Sequence, residues 1–398
     1  SVTINEDSSL DLVGVNTAGS ADLDSVAGVS DAGAASVDVS GLLDVSGTSI
    51  ALGSGVTVFN TGTLTFNSAG SVNVSEASSM FVSGSSTAGA GLELVSTGGV
   101  TLNASVTVVG DTSILAGAIS GGITVNAKLN GSGTILLDSA GEITIDAAID
   151  PTTVTLNADD DITVNSAVVA SELITVSAGE DGSGSFALGV AGSLETTDSG
   201  SDITVTTGST SGDITLAGTT TALDLVTMTT ASGSINGSGL VTSGTVDLNS
   251  STGIGNTTGV TLSSSNITAD TTTGDIEIAS SLGTAVSVSS LTTGTGAISF
   301  AQSGGGDLST GTVSASGAVV LSNSAGSISL AGIVTSVSLD ATASGAITDG
   351  SDGDLTITGL AEFTAGNIEL GNAAGNATNF GTLTFNSAGS VNVSEASS

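Results

Sequence analysis

The chain has 398 residues with 38 Asp plus Glu against a single basic residue, a net charge of −37, and no Cys, His, Trp or Tyr. Nucleic-acid binding needs Lys and Arg to neutralise phosphates, so that class is excluded, and an anionic membrane surface repels the chain for the same reason. No apolar run approaches the ~18 residues needed to cross a bilayer as a helix.

The composition nonetheless describes a folded chain. Disorder pairs high charge with low hydrophobicity, whereas 38% of these residues are hydrophobic and the mean hydropathy is +0.44. The apolar residues are mostly Val, Ile, Leu and Ala in short runs, which favour strands, and the one proline, Pro151, leaves strand ladders unbroken. With only 8 Phe as aromatics, the expected core is thin, extended and aliphatic.

Taken from the start, Ser1 to Ser9 reads SVTINEDSS, with no basic or apolar leader. Gly62 to Ser79 reads GTLTFNSAGSVNVSEASS, and Gly381 to Ser398 repeats those 18 residues without change. The opening nine residues are a looser copy of Ser71 to Ser79. Repetition at this scale points to one period of a longer tandem array.

A finer period runs inside. Ile123-Thr124-Val125, Ile143-Thr144-Ile145 and Ile162-Thr163-Val164 recur at steps of 20 and 19 residues. Between them lie Ile135-Leu136-Leu137, Val154-Thr155-Leu156 and Ile174-Thr175-Val176. Side chains alternate along a strand, so each triplet turns two aliphatics to one face and its middle residue to the other. Strands this short are stable only when stacked on equivalents from neighbouring coils. The spacing predicts a parallel β-helix over 1–398, with roughly 19–20-residue coils and two strands per coil. At ~20 residues per coil and about 4.8 Å per step, this is roughly 20 coils and a length on the order of 100 Å. An antiparallel sandwich array is the alternative, disfavoured by the strict interleaving and the scarcity of Asn-Gly hairpin signals. The period loosens near 179–200 and 233–255, where irregular coils or insertions are expected. It returns at Ile328, Ile347 and Ile368.

The corners are polar. Asn follows strands at Asn67, Asn103, Asn126, Asn157, Asn165, Asn249 and Asn386, where its tolerance of left-handed backbone and its capacity for side-chain ladders suit a bend. Gly with Asp or Glu precedes strands at Gly141-Glu142, Gly212-Asp213 and Gly274-Asp275.

Runs such as AGSVNVSEASS, SGDITLAGTT, TGDIEIASS, AGSISLAG and AGEITIDAAI resemble the repeats of filamentous-haemagglutinin-type exoproteins and, more broadly, of giant bacterial β-strand-repeat surface proteins. The resemblance implies a right-handed parallel β-helix, export to the cell surface, and a role as fibre or adhesin stalk. Those adhesins usually carry basic residues and aromatics, from which this chain departs.

Catalysis by Ser/His/Asp or Cys/His sets is excluded, as are ordinary zinc sites. Lys128, in Asn126-Ala127-Lys128-Leu129, is not in a phosphate-binding loop and reads as a solvated corner. No catalytic residue is assigned and no enzyme is expected, because sugar-cleaving sites on such folds draw on basic and aromatic residues missing here. Calcium or diffuse divalent cations are the cofactors to consider. The candidate ligand clusters are Asp159-Asp160-Asp161, Asp349 with Asp352 and Asp354, and Glu180 with Asp181, none matching an EF-hand or a glycine-rich β-roll nonapeptide. Asn103-Ala104-Ser105 and Asn376-Ala377-Thr378 are glycosylation sequons. The function expected is an extracellular, non-catalytic structural fibre of tandem solenoid repeats that self-associates end to end or laterally. An adhesin stalk and a surface-layer or sheath protein are the alternatives.

Overall fold

A computed structural model describes all residues except 32, 56–57, 118–120, 374 and 397–398. The described secondary structure is all strand, and the described strand pairings are parallel. The chain is a β-solenoid of about 18 turns with ~21-residue spacing. It divides into two compact units, Ser1–Asp198 and Ser199–Ser398. No described helix is long and apolar enough to cross a membrane.

In the first unit, the triplets read from sequence stack in register. Ile123 pairs with Ile143, Ile143 with Ile162, and Ile162 with Phe186. Ile135, Val154 and Ile174 form a second column. All seven side chains are buried, while Thr124, Thr144 and Thr163 sit half-buried on the outer face. Each coil here carries three strands rather than the two expected. The third column is Leu129–Gly131, Ile149–Asp150 and Ala167–Ala170. Leu129–Gly131 and Ile149–Asp150 each place one apolar residue against the core (Leu129 and Ile149), and Ala167–Ala170 places Val168 and the small Ala170, too little to form a triplet pattern of large aliphatics. The step from Ile162 to Phe186 is 24 residues, and Val168 pairs with Leu194.

In the second unit, strands run on around the bends. Leu240–Ser250 pairs along most of its length with Val260–Thr271. Ile235, Ile254 and Ile276 align through single bridges, and Ile328, Ile347 and Ile368 stack in register. Five of the eight phenylalanines, Phe59, Phe66, Phe186, Phe300 and Phe363, are fully buried.

The alternation assigns different energies to neighbouring residues. Ile143→Ala, which leaves a cavity in the column, is expected to cost ~2–5 kcal/mol. Thr144→Ala on the outer face should change stability by no more than ~0.5 kcal/mol. Chemical denaturation of the two variants checks this; equal losses would contradict the assignment of faces.

Candidate functional site: polar corners and duplicated coils

A parallel ladder leaves a problem at each bend, where backbone N–H groups turn away from the strand below and must still find acceptors. Two side-chain devices meet this need. In the first, a carboxylate just before a strand accepts a hydrogen bond from the backbone N–H one coil further on. The Oδ1 atoms of Asp213, Asp275, Asp307 and Asp354 take the amides of Ser234 (2.7 Å), Ala297 (2.8 Å), Ser327 (2.8 Å) and Ala377 (2.7 Å). Asp111 and Asp161 do the same for Thr134 and Ser185, and Asn367 does so for Ser390. A carboxylate suits the place because it only accepts, and a bond to an ionised acceptor is stronger than one between neutral groups.

The second device is a buried hydroxyl or amide at the end of a strand. The Thr230 and Thr293 hydroxyls donate to the carbonyls of Gly212 and Gly274 (both 2.6 Å) and accept from the amides of Gly233 and Gly296. Ser139 bridges the Gly121 carbonyl and the Gly141 amide likewise. Asn323 plays the part with its carboxamide, between the Gly306 carbonyl and the Gly326 amide. The signature in the sequence is Ser, Thr or Asn two or three residues before Gly and ahead of an Ile/Val strand. It was open to reading, but it lay hidden in a background rich in the same residues.

The corner asparagines work differently from the expectation. Among the described residues only glycines have positive φ, so these asparagines do not supply left-handed backbone. Several of them make side-chain bonds between coils instead: the Asn126 amide donates to Asn103 (3.0 Å) and the Asn165 amide to Asp146 (2.8 Å). Lys128 is exposed.

The candidate cation ligands are placed as follows. Asp161 already serves the Ser185 amide. Asp159 stands near Asp138, Asp160 and Asp181, and its carboxyl is raised above the ordinary value, first by partial burial and then by those like charges. Glu180 is raised for the same reasons, with Asp138 and Asp159 as neighbours. Asp349 Oδ2 accepts from the Gly371 amide (2.6 Å) and the Asn376 side chain (3.0 Å), Asp354 holds Ala377, and Asp352 is exposed. Among the described residues, no three carboxylates converge so as to hold a metal ion. The Asn376 amide also donates to the Gly350 carbonyl (2.7 Å), which ties up that sequon. An open groove of about 580 Å³ in the second unit is lined by Ser287, Ser309, Ser329 and Thr348. Its one carboxylate, Asp307, is the Ser327 acceptor, which leaves no acid–base pair there.

The duplicated segment is larger in structure than its 18 identical residues. In the first copy, the Gly53 amide donates to Asp31 Oδ2 (2.6 Å); in the second, the Gly371 amide donates to Asp349 Oδ2 (2.6 Å). Both glycines have positive φ, +82° and +72°, and a Cβ on either would lie within 2 Å of a carbonyl oxygen, so no other residue fits. The strand register slips between Val39 and Leu42 in one copy and between Ile357 and Leu360 in the other. Leu42 and Leu360 point outward at this bulge, 40% and 43% exposed. Glu76 accepts from the Thr61 amide (2.8 Å), and Glu395 from the Phe380 amide (3.0 Å), each bond spanning 15 residues. Residues 28–79 and 346–396 therefore share bends, bulge and bonds, although the matching residues upstream are few (Gly41-Leu42 with Gly359-Leu360, Leu52-Gly53 with Leu370-Gly371). Residues 397 and 398, the last two of the second copy, lie outside the described residues.

Comparison with protein-family models, with curated proteins and with solved structures found no match.

Glu76 yields a pH dependence. Burial pushes its carboxyl above the ordinary glutamate value, against the opposing pull of hydrogen bonds from Thr61 and Ser78. A carboxyl raised on folding binds its proton more tightly in the folded state, so its contribution is fully present at low pH and is lost as pH rises through the window above the ordinary glutamate value. Glu76→Gln keeps an acceptor for the Thr61 amide without the buried charge. It is expected to be more stable than the native chain at pH 7, with the gap closing as the pH falls through that window toward the ordinary glutamate value. Thermal melts across that range check the sign; a variant less stable at neutral pH would contradict it.

Proposed function

We propose that this chain is a segment of an extracellular, non-catalytic structural filament built by repeating a long run of solenoid coils. The observation that carries the reading is the pair of equivalent blocks at 28–79 and 346–396, which reproduce the same bulge, the same Asp-to-Gly bond and the same Glu-to-amide bond. A chain selected for one binding site has no need of a second copy of a whole block of coils, whereas a filament grows by repeating them. The employment of the carboxylates supports it too, since many of the acidic side chains are spent as corner acceptors rather than gathered at one place. The remaining charge keeps such filaments soluble and suits surroundings in which cations screen it. The likeness of the repeats to filamentous-haemagglutinin-type exoproteins points the same way.

Electron microscopy of the native cell surface, or of material shed from it, with a label against 62–79 tests the proposal. Continuous filaments labelled at regular intervals along their length are expected. Label confined to isolated stalks beneath an unlabelled tip would contradict it in favour of a spacer.

A further inference from the structure

The carboxylates employed at the bends are only part of the charge, and all of it is set out along stacked coils. The first unit, Ser1–Asp198, holds 23 Asp and Glu against the single Lys128, and the second, Ser199–Ser398, holds 15 with no basic residue. The coils have ~21-residue spacing. At about 4.8 Å of rise per coil, this is roughly one net charge for every 2 Å in the first unit and every 3 Å in the second. Five carboxyls of the first unit, those of Asp31, Asp44, Glu76, Asp159 and Glu180, are pushed up by burial. With all five neutral, the spacing there is still about 2.7 Å. In water, two unit charges interact with the thermal energy at a separation of about 7 Å. A line of charges set closer than this gathers counterions until the effective spacing reaches it, as duplex DNA does at ~1.7 Å per charge. Both units are crowded well past that limit.

The charge is also spread around the coil. In the second unit, Glu277 and Glu362 stand on one outer face, Asp247 on another and Glu369 on a third. In two places like charges are stacked in register, Asp22 with Asp44 one coil on and Asp340 with Glu362. Like charges directly opposite one another destabilise a sheet. The two pairs hold equivalent positions in the duplicated architecture, and the acids are kept while Leu23 gives way to Ala341 and Val45 to Phe363. Lys128, the one basic residue, belongs to other coils.

We infer that each unit carries a condensed layer of cations over its outer faces, and that small multivalent cations shared between two such layers draw copies of this chain together side by side. A monovalent ion screens one carboxylate. A divalent or trivalent ion neutralises carboxylates of two chains at once and releases several condensed monovalent ions in doing so. Because the carboxylates occupy three outer faces, no one side is preferred and association grows laterally into bundles. This contact supplies the attraction between neighbouring filaments and rests on the filament reading for its setting.

The test titrates the full chain at neutral pH and low NaCl with magnesium, calcium and hexaamminecobalt(III) in turn, followed by light scattering and sedimentation. Magnesium and calcium are expected to drive association at concentrations within about twofold of each other, and the trivalent ion at a concentration lower by on the order of tenfold or more, because valence rather than ligand chemistry sets the binding. Adding about 0.5 M NaCl should disperse the bundles. Removing charge should act by amount and not by place. One variant carries D22N, D44N, D340N and E362Q, and a second carries D150N, E172Q, E277Q and D352N. Each loses four carboxylates, two from each unit, and both should raise the threshold concentration by the same factor. Calcium acting where magnesium does not, or one variant failing to associate while the other matches the native chain, would overturn the condensed layer in favour of a built site. A chain that stays monodisperse at every concentration of the trivalent ion would overturn the lateral contact and leave standing the filament reading, which the labelled micrographs test separately.

Discussion

The constraint on which the rest depends is the in-register parallel ladder between coils. A strand of three residues such as Ile143–Ile145 buries too little to stand alone, and it holds only because Ile123–Val125 and Ile162–Val164 complete its backbone bonds and its core at once. Every other feature serves that stacking. The inward column must be apolar in every coil, and each bend must return the chain to the same place one step on. Every amide left over at a bend also needs an acceptor that does not disturb the ladder.

The last requirement explains the composition better than charge alone does. Asp213, Asp275, Asp307 and Asp354 carry negative charge because an acceptor-only side chain is what the amide of the next coil needs at that bend. Buried Thr230, Thr293 and Ser139 serve the mirror need, donating to a carbonyl one coil back while accepting an amide within their own bend. Part of the abundance of Gly, Ser, Thr and Asp is thus the chemistry of bends, repeated at many of the coils. The same economy accounts for the candidate cation clusters: Asp161, Asp349 and Asp354 are occupied by backbone amides.

Much of the fold is legible in the sequence, because two aliphatics flanking a Thr at fixed steps carry both the strand and its inward face. Ile123, Ile143 and Ile162 stack as read. The third strand of each coil was not legible, since a single inward residue such as Ile149 leaves no alternation to see. The extent of the duplicated block was hidden for a different reason. Its bulge and its Asp31-to-Gly53 bond depend on backbone geometry that Leu42 with Leu360 and Gly53 with Gly371 preserve while the residues between them drift. The corner asparagines show the limit of residue preferences: their tolerance of left-handed backbone is real, but glycine supplies that backbone here and asparagine supplies the side-chain bond.

The central claim is that the acidic corners are structural acceptors as integral to the fold as the ladder itself. Residue-resolved hydrogen exchange on the native chain tests it most directly. The account predicts that the amides of Ser234, Ala297 and Ser327 exchange as slowly as ladder amides such as that of Ile143, and that Asp275→Ala releases Ala297 while leaving Ser234 protected. Fast exchange at all three in the native chain would contradict it, and would leave the carboxylates as surface charge with no part in holding the coils together.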